Sequence, residues 1–149
     1  MWNGTRSRDK MLADALSVRI KLKPECLDTT VAANFPADIL SDLAGAPGAV
    51  LALAPTANID PEQLYPVTIE PIHGSAFDIA GKGISNTVAT FWAIVQTFEH
   101  RGDREAADRL LESVQTATTS GAMIRDLGGT VASREITNAV HEAIREAAR

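Results

Sequence analysis

Apolar residues recur at helical spacing in several separate stretches of the chain. Met11, Leu12, Ala15, Leu16, Ile20 and Leu22 mark a first helix over Lys10–Lys23, which Pro24 ends, with a turn over Glu25–Asp28. A second helix begins at Asn34 or Pro36 and continues through Ala37–Ala44. After Asn86, Val88, Phe91, Trp92, Val95 and Phe98 stand three and four apart, the spacing of a core-facing stripe rather than of a stacking platform. His100 and Arg101 suit the end of that helix, and Gly102 stops it. Asp103 is placed to cap the next, whose inner face is Ala106, Ala107, Leu110, Leu111 and Val114; the pattern fades over Thr116–Ser120 and Gly121 stops it. Arg125–Thr130 reads as a turn. Ile136, Val140 and Ile144 carry a last amphipathic helix over Ser133–Ala148. Two short runs have β character, Thr29–Ala33 as a buried strand and Val67–Ile69. No internal repeat or low-complexity tract interrupts this order.

Length and charge narrow the classes. A chain of 149 residues fits one domain with a sizeable core. Its 14 basic and 19 acidic residues leave a net charge of −5 without a basic patch, which argues against nucleic acid as a partner. Cys26 stands alone, so no internal disulfide can form and a cytoplasmic home is expected. Met1–Arg8 lacks the apolar core of a signal peptide, and Met1–Asp9 reads as a frayed end. The most apolar stretch, Leu43–Ala57, is too short to span a bilayer and is broken by Pro47 and Pro55.

Candidate chemistry gathers between Glu70 and Asn86. This polar stretch holds Gly74, Gly81 and Gly83, the carboxylates Glu70 and Asp78, the imidazole of His73, the hydroxyl of Ser75 and the amide of Asn86, which also suits a helix N-cap. Gly81-Lys82-Gly83 is neither a Walker loop nor a G-x-G-x-x-G fingerprint, because Asn86 stands where the third glycine belongs. The residues alone admit a ligand loop between strand and helix, or an ordinary surface loop with a capping Asn. Asp38 and Asp42 share one helix face, where like charges repel by about 0.2–0.5 kcal/mol. A hard divalent cation would offset that repulsion; two solvated carboxylates are the plain alternative.

The wording Glu70-Pro-Ile-His-Gly-Ser-Ala-Phe-Asp-Ile-Ala-Gly-Lys-Gly-Ile-Ser-Asn86 resembles the NAD-binding loop of the isocitrate/isopropylmalate dehydrogenase family, and Ser75-Ala76-Phe77-Asp78-Ile79 is similar to its tartrate and D-malate dehydrogenase branch. Ala37-Asp38-Ile39-Leu40-Ser41-Asp42, with Asn34 upstream, resembles the family's metal motif. Pro55–Ile59 is similar to its turn after the metal helix, and Arg125–Thr130 to its Asp-Leu-Gly-Gly element. The resemblance runs from about Asp9 to the C-terminus. It implies an α/β fold, the C-terminal portion of an isopropylmalate dehydrogenase-like fold. About 1–45 would supply metal-site helices and a strand of the small domain, and about 46–149 the NAD-binding part of the large domain. It implies NAD and Mg²⁺ or Mn²⁺ as cofactors. Asp38 and Asp42 would bind the metal with Asp14, in Leu12-Ala13-Asp14-Ala15, contributed by the partner subunit of a homodimer. His73 would contact the adenosine, Gly74, Ser75 and Ala76 the cofactor more broadly, Asp78 the adenine ribose and Asn86 the adenine, with Glu70 towards the nicotinamide. A carboxylate at Asp78 accepts hydrogen bonds from a free 2′-OH and repels a 2′-phosphate, favouring NAD over NADP.

The resemblance also implies oxidation of a small 2-hydroxy acid to a ketone, with decarboxylation in some members. Family members are much longer than this chain. The arginines that clamp substrate carboxylates, and the tyrosine and lysine that move protons, have no counterpart here. No catalytic residue is therefore assigned, and Tyr65 falls outside the expected context. Departures at Pro47, at Gly48–Ala52 and at Thr87, where a proline is usual, bear on local geometry. Three readings follow: a piece of a dehydrogenase completed by a second chain, a non-catalytic nucleotide-binding or dimerisation remnant, or a product with no function of its own. Exposed apolar faces lead to the expectation of marginal stability, or of association with itself or a complementing chain.

Overall fold

The computed structural model describes residues 9–46, 53–123 and 125–147 and divides the chain into two compact units, Met1–Gly48 and Ala49–Arg149. The readings made for Met1–Arg8, Pro47, Gly48–Ala52 and Ala148 lie outside the described residues. Among the described residues no helix is long and apolar enough to cross a membrane.

The first unit is a helix pair, α1 (Ala13–Leu22) and α2 (Asn34–Gly45), joined through a 3-10 turn at Pro24–Cys26. The apolar stripe expected of α1 is mostly not a core face. Ile20 is buried, but Leu12 and Leu22 are exposed, and on α2 Leu40 alone is buried. Two helices offer each other one narrow seam, and Leu12 and Leu22 lie outside it. Thr29–Ala33, expected as a buried strand, is exposed and lies in no ladder among the described residues. A strand needs a neighbour for its N–H and C=O groups, and the described residues of this unit offer none.

The second unit holds the core. Strands β1 (Pro55–Asn58) and β2 (Thr68–Pro71) form an antiparallel ribbon pairing Pro55 with Pro71 and Asn58 with Thr68. Pro55–Ile59 is thus mainly strand rather than the turn expected for it. Helix α3 (Val88–His100) packs on the ribbon and on α4 (Arg104–Thr119), and α4 on α5 (Ser133–Ala147). Val88, Val95, Ala107, Leu110, Val114, Ala117, Ile136 and Val140 fill the shared interior. Phe91 and Phe98 are partly buried against it, while Trp92, expected in the core, is 38% exposed.

Local chemistry sets the helix ends. Gly102 and Gly121 adopt positive φ (81° and 99°), which L side chains resist, and each closes a Schellman motif. The Asp103 N–H donates to the Phe98 carbonyl and Gly102 to Glu99; Ala122 donates to Ala117 and Gly121 to Thr118. Asp103 Oδ1 accepts from the Ala106 N–H at 3.2 Å, the expected cap of α4. Helix α4 runs through the polar Thr116–Thr119 segment, where the threonine hydroxyls donate back to carbonyls of the preceding turn.

The loop between the strands is organised by Asp60. Its carboxylate accepts from the backbone N–H of Tyr65 (2.9 Å), Leu64 (2.6 Å) and Glu62 (3.1 Å). These bonds, led by that from Tyr65, hold its pKa below the ordinary 3.8. Because the folded value is depressed, the carboxylate's contribution is complete above 3.8 and is lost as pH falls through the lower folded value. Asp60→Asn is therefore expected to lower the melting temperature at neutral pH, with the gap narrowing as the medium is acidified below about pH 4. Parallel melts of both proteins at pH 7, 5 and 3 measure it; a gap constant with pH would contradict the expectation.

Candidate functional site

From the end of β2 the chain descends through a series of turns to α3. Gly74 N–H donates to the Pro71 carbonyl, Ile79 to Ala76 and Lys82 to Ile79. Gly74, Gly81 and Gly83 take positive φ of 64°, 76° and 66°, and Ala76 joins them at 41°. A left-handed alanine costs on the order of 1 kcal/mol, a strain that clusters at ligand sites. The turns border an open cleft of about 450 Å³ lined by residues between His73 and Ser85, among them Gly74, Ser75, Ala76, Gly81 and Gly83. Where a Cβ would sit on any of these three glycines, no other group lies within 4 Å, so the backbone faces unoccupied space. His73 Nδ1–H donates to the Gly74 carbonyl at 2.9 Å, which leaves Nε2 of the neutral ring as an acceptor.

The far end of the loop is tied down. Asn86 is buried; its Oδ1 accepts from the Val88 N–H (3.0 Å) and its Nδ2 donates to Asp126 Oδ2 (3.0 Å). The capping role expected of Asn86 is present, one position earlier than the residue flanking α3, Thr87. Asp126 lies in a 3-10 turn, Arg125–Leu127, and reaches Asn86 across forty residues of sequence.

The family model for isocitrate/isopropylmalate dehydrogenase matches residues 7–144. The chain belongs to that family. A probable tartrate dehydrogenase/decarboxylase of Agrobacterium vitis is 59% identical over 136 residues, covering 91% of this chain and 37% of that protein. The D-malate dehydrogenase (decarboxylating) of Escherichia coli K12 is 36% identical over 141 residues, 91% of this chain and 39% of that protein. Among solved structures, isocitrate dehydrogenase from Methylococcus capsulatus superposes with a TM-score of 0.81 at 34% identity, covering 89% of this chain and 39% of the other. The chain thus spans about two fifths of the length of these relatives and carries an isocitrate dehydrogenase-like α/β fold over that part.

Within this dehydrogenase-family chain, the residues singled out from sequence fall into distinct places. His73, Gly74, Ser75 and Ala76 line the cleft. Asp78 is exposed in the turn between Ala76 and Ile79, and Glu70 is exposed on β2; neither side chain forms the wall. Asn86 spends both ends of its amide inside the protein. The first unit places Asp38 and Asp42 one turn apart and exposed on α2, with Asp14 exposed on α1. The Asp14 carboxylate accepts from the neighbouring Ala15 N–H at 2.7 Å. Among the described residues no three carboxylate, histidine or cysteine side chains converge as a metal site, and the one ion pair joins Arg19 to Asp9. Sequence reasoning missed Asp126 and Ser133 as partners of the loop; their signals, a turn residue and a helix-start residue, do not reveal a contact that distant.

Proposed function

We propose that this chain supplies the adenosine-binding loop and part of the metal site of an NAD- and Mg²⁺- or Mn²⁺-dependent dehydrogenase acting on a small 2-hydroxy acid of the tartrate or D-malate type. The observation that carries this reading is the open cleft lined by residues from His73 to Ser85, in a chain whose relatives are named tartrate dehydrogenase/decarboxylase and D-malate dehydrogenase. Glycines with positive φ let the backbone approach a ligand closely, and in this reading the open cleft takes the adenosine. In this reading His73, Gly74, Ser75 and Ala76 hold the adenosine end, Asp78 reads the ribose hydroxyls, Asn86 shapes the wall beside the adenine, and Glu70 lies towards the nicotinamide.

The metal reading rests on donor chemistry. Asp38 and Asp42 offer hard carboxylate oxygens from one helix face and are committed to no ion pair among the described residues. Asp38 and Asp42 would hold such an ion together with Asp14 of the partner subunit. When bound, such a metal supplies Lewis-acid stabilisation of negative charge on the substrate oxygen. In this reading α2 orients its two carboxylates towards that ion, and the loop fixes the cofactor's adenosine end. Among the described residues we assign none to clamp the substrate carboxylates or move protons, so turnover by the chain alone is not expected. A second reading, a non-catalytic nucleotide-binding or dimerisation remnant, draws support from the exposed Leu12, Leu22, Val31 and Phe35 of the first unit.

Thermal melts in Mn²⁺ without nucleotide, with NAD and with NADP test the proposal. NAD at 100 times its dissociation constant is expected to add about 2.7 kcal/mol of stability, and NADP much less. Indifference to both nucleotides would refute the reading. Turnover of a 2-hydroxy acid on mixing with a chain carrying the substrate-binding half would separate the enzyme from the remnant.

A further inference from the structure

The two walls of the cleft are built differently. The wall from His73 to Gly81 is held by short-range turns. The wall at Gly83–Ser85 is held from a distance by the first residue of α5. The Ser133 N–H donates to the Gly83 carbonyl at 2.9 Å, and Ser133 Oγ donates to the Ser85 carbonyl at 2.6 Å. Both acceptors belong to residues lining the cleft. Helix α5 is itself anchored, since Ile136 and Val140 are fully buried. Glu135 secures its start by accepting from the Ala132 N–H.

We propose that Ser133 is a positioning residue for nucleotide binding, holding two carbonyls of the cleft wall to a helix rooted in the core so that the wall is set before the ligand arrives. The inference rests on the nucleotide reading of the cleft given above. A wall ordered in advance spares the ligand the entropy of ordering it, and that saving appears as affinity.

One turn further along α5, Thr137 is tied to the same clamp: its hydroxyl donates to the Ser133 carbonyl at 2.8 Å and lies 3.3 Å from Thr87 Oγ1. Thr97 on α3, whose hydroxyl donates to the Ala93 carbonyl at 2.9 Å and which does not line the cleft, supplies the control. Ser133→Ala keeps the backbone bond to Gly83 and loses the hydroxyl bond to Ser85. It is expected to weaken NAD binding about fivefold by calorimetry, the worth of one hydrogen bond. Ser133→Thr should restore affinity, and Thr97→Val should leave it unchanged. Equal weakening by Ser133→Ala and Thr97→Val, or none by either, would overturn the proposal. Should the parent chain not bind NAD, the nucleotide reading fails, and tryptic cleavage after Lys82 then judges the clamp itself. Cleavage there should quicken in Ser133→Ala relative to cleavage after Arg101; an unchanged ratio would overturn the clamp as well.

Discussion

Replacing Ile136 with alanine is expected to destabilise the second unit by about 2–5 kcal/mol, the range for truncating a buried large aliphatic side chain. Ile136 has no exposed surface and sits where α5 meets the interior filled by Val88, Val95, Leu110 and Val114. The cavity left behind has rigid walls, because its neighbours are anchored on α3 and α4 as well. A typical domain has only about 5–15 kcal/mol in hand, so this change removes a large share of the total. The loss should reach the cleft, since the same helix begins at Ser133 and holds Gly83 and Ser85. Urea unfolding of the parent and Ile136→Ala proteins measures it. A loss below about 1 kcal/mol would mean that the site collapses freely and that α5 is not integral to the core.

Gly129→Ala is expected to cost about 3 kcal/mol or more, the upper end of overpacking penalties. A Cβ at that position would lie 1.8 Å from the Met123 carbonyl oxygen and 2.2 Å from its carbon. Both are backbone atoms and cannot swing aside. The carbonyl also accepts from the Val131 N–H at 3.2 Å, so moving either strand of the turn breaks that bond. The turn carries Asp126, which orients the Asn86 amide. Gly129→Ala should therefore melt earlier and also respond less to NAD, whereas Gly128→Ala, with open space at its Cβ but a φ of 79°, should show a smaller loss from backbone strain alone. Equal effects at the two positions would show that the close approach to Met123 is not what demands glycine.

The exposure of the first unit points to its surroundings rather than to its own packing. Leu12, Val18, Leu22, Val31 and Phe35 are all more than half exposed. The periodicity of α1 marks an apolar face correctly but says nothing of what covers it, because a stripe is a property of one helix and burial of two. The same distinction explains Trp92. Its spacing places it on the stripe with Val88 and Val95, yet the stripe is wider than the face that α4 and the ribbon cover. Thr29–Ala33 fails as a strand for a related reason: β-branched residues favour extended backbone, but a ladder requires a partner.

By itself, the sequence determined helices α1–α5, the glycine stops of α3 and α4, the Asp103 cap, the family, and the concentration of candidate ligands between Glu70 and Asn86. These depend on spacing, backbone freedom and wording within short windows, where each residue acts on near neighbours. Only the tertiary structure decided that Pro55–Asn58 pairs with Thr68–Pro71, that Asn86 turns inward to Val88 and Asp126, that Gly129 must pass Met123, and that Ser133 holds the wall of the cleft. Each of these joins residues that are distant in sequence or depends on the path the backbone takes between them. Such contacts come from chain folding, not from the local preferences that a linear pattern records.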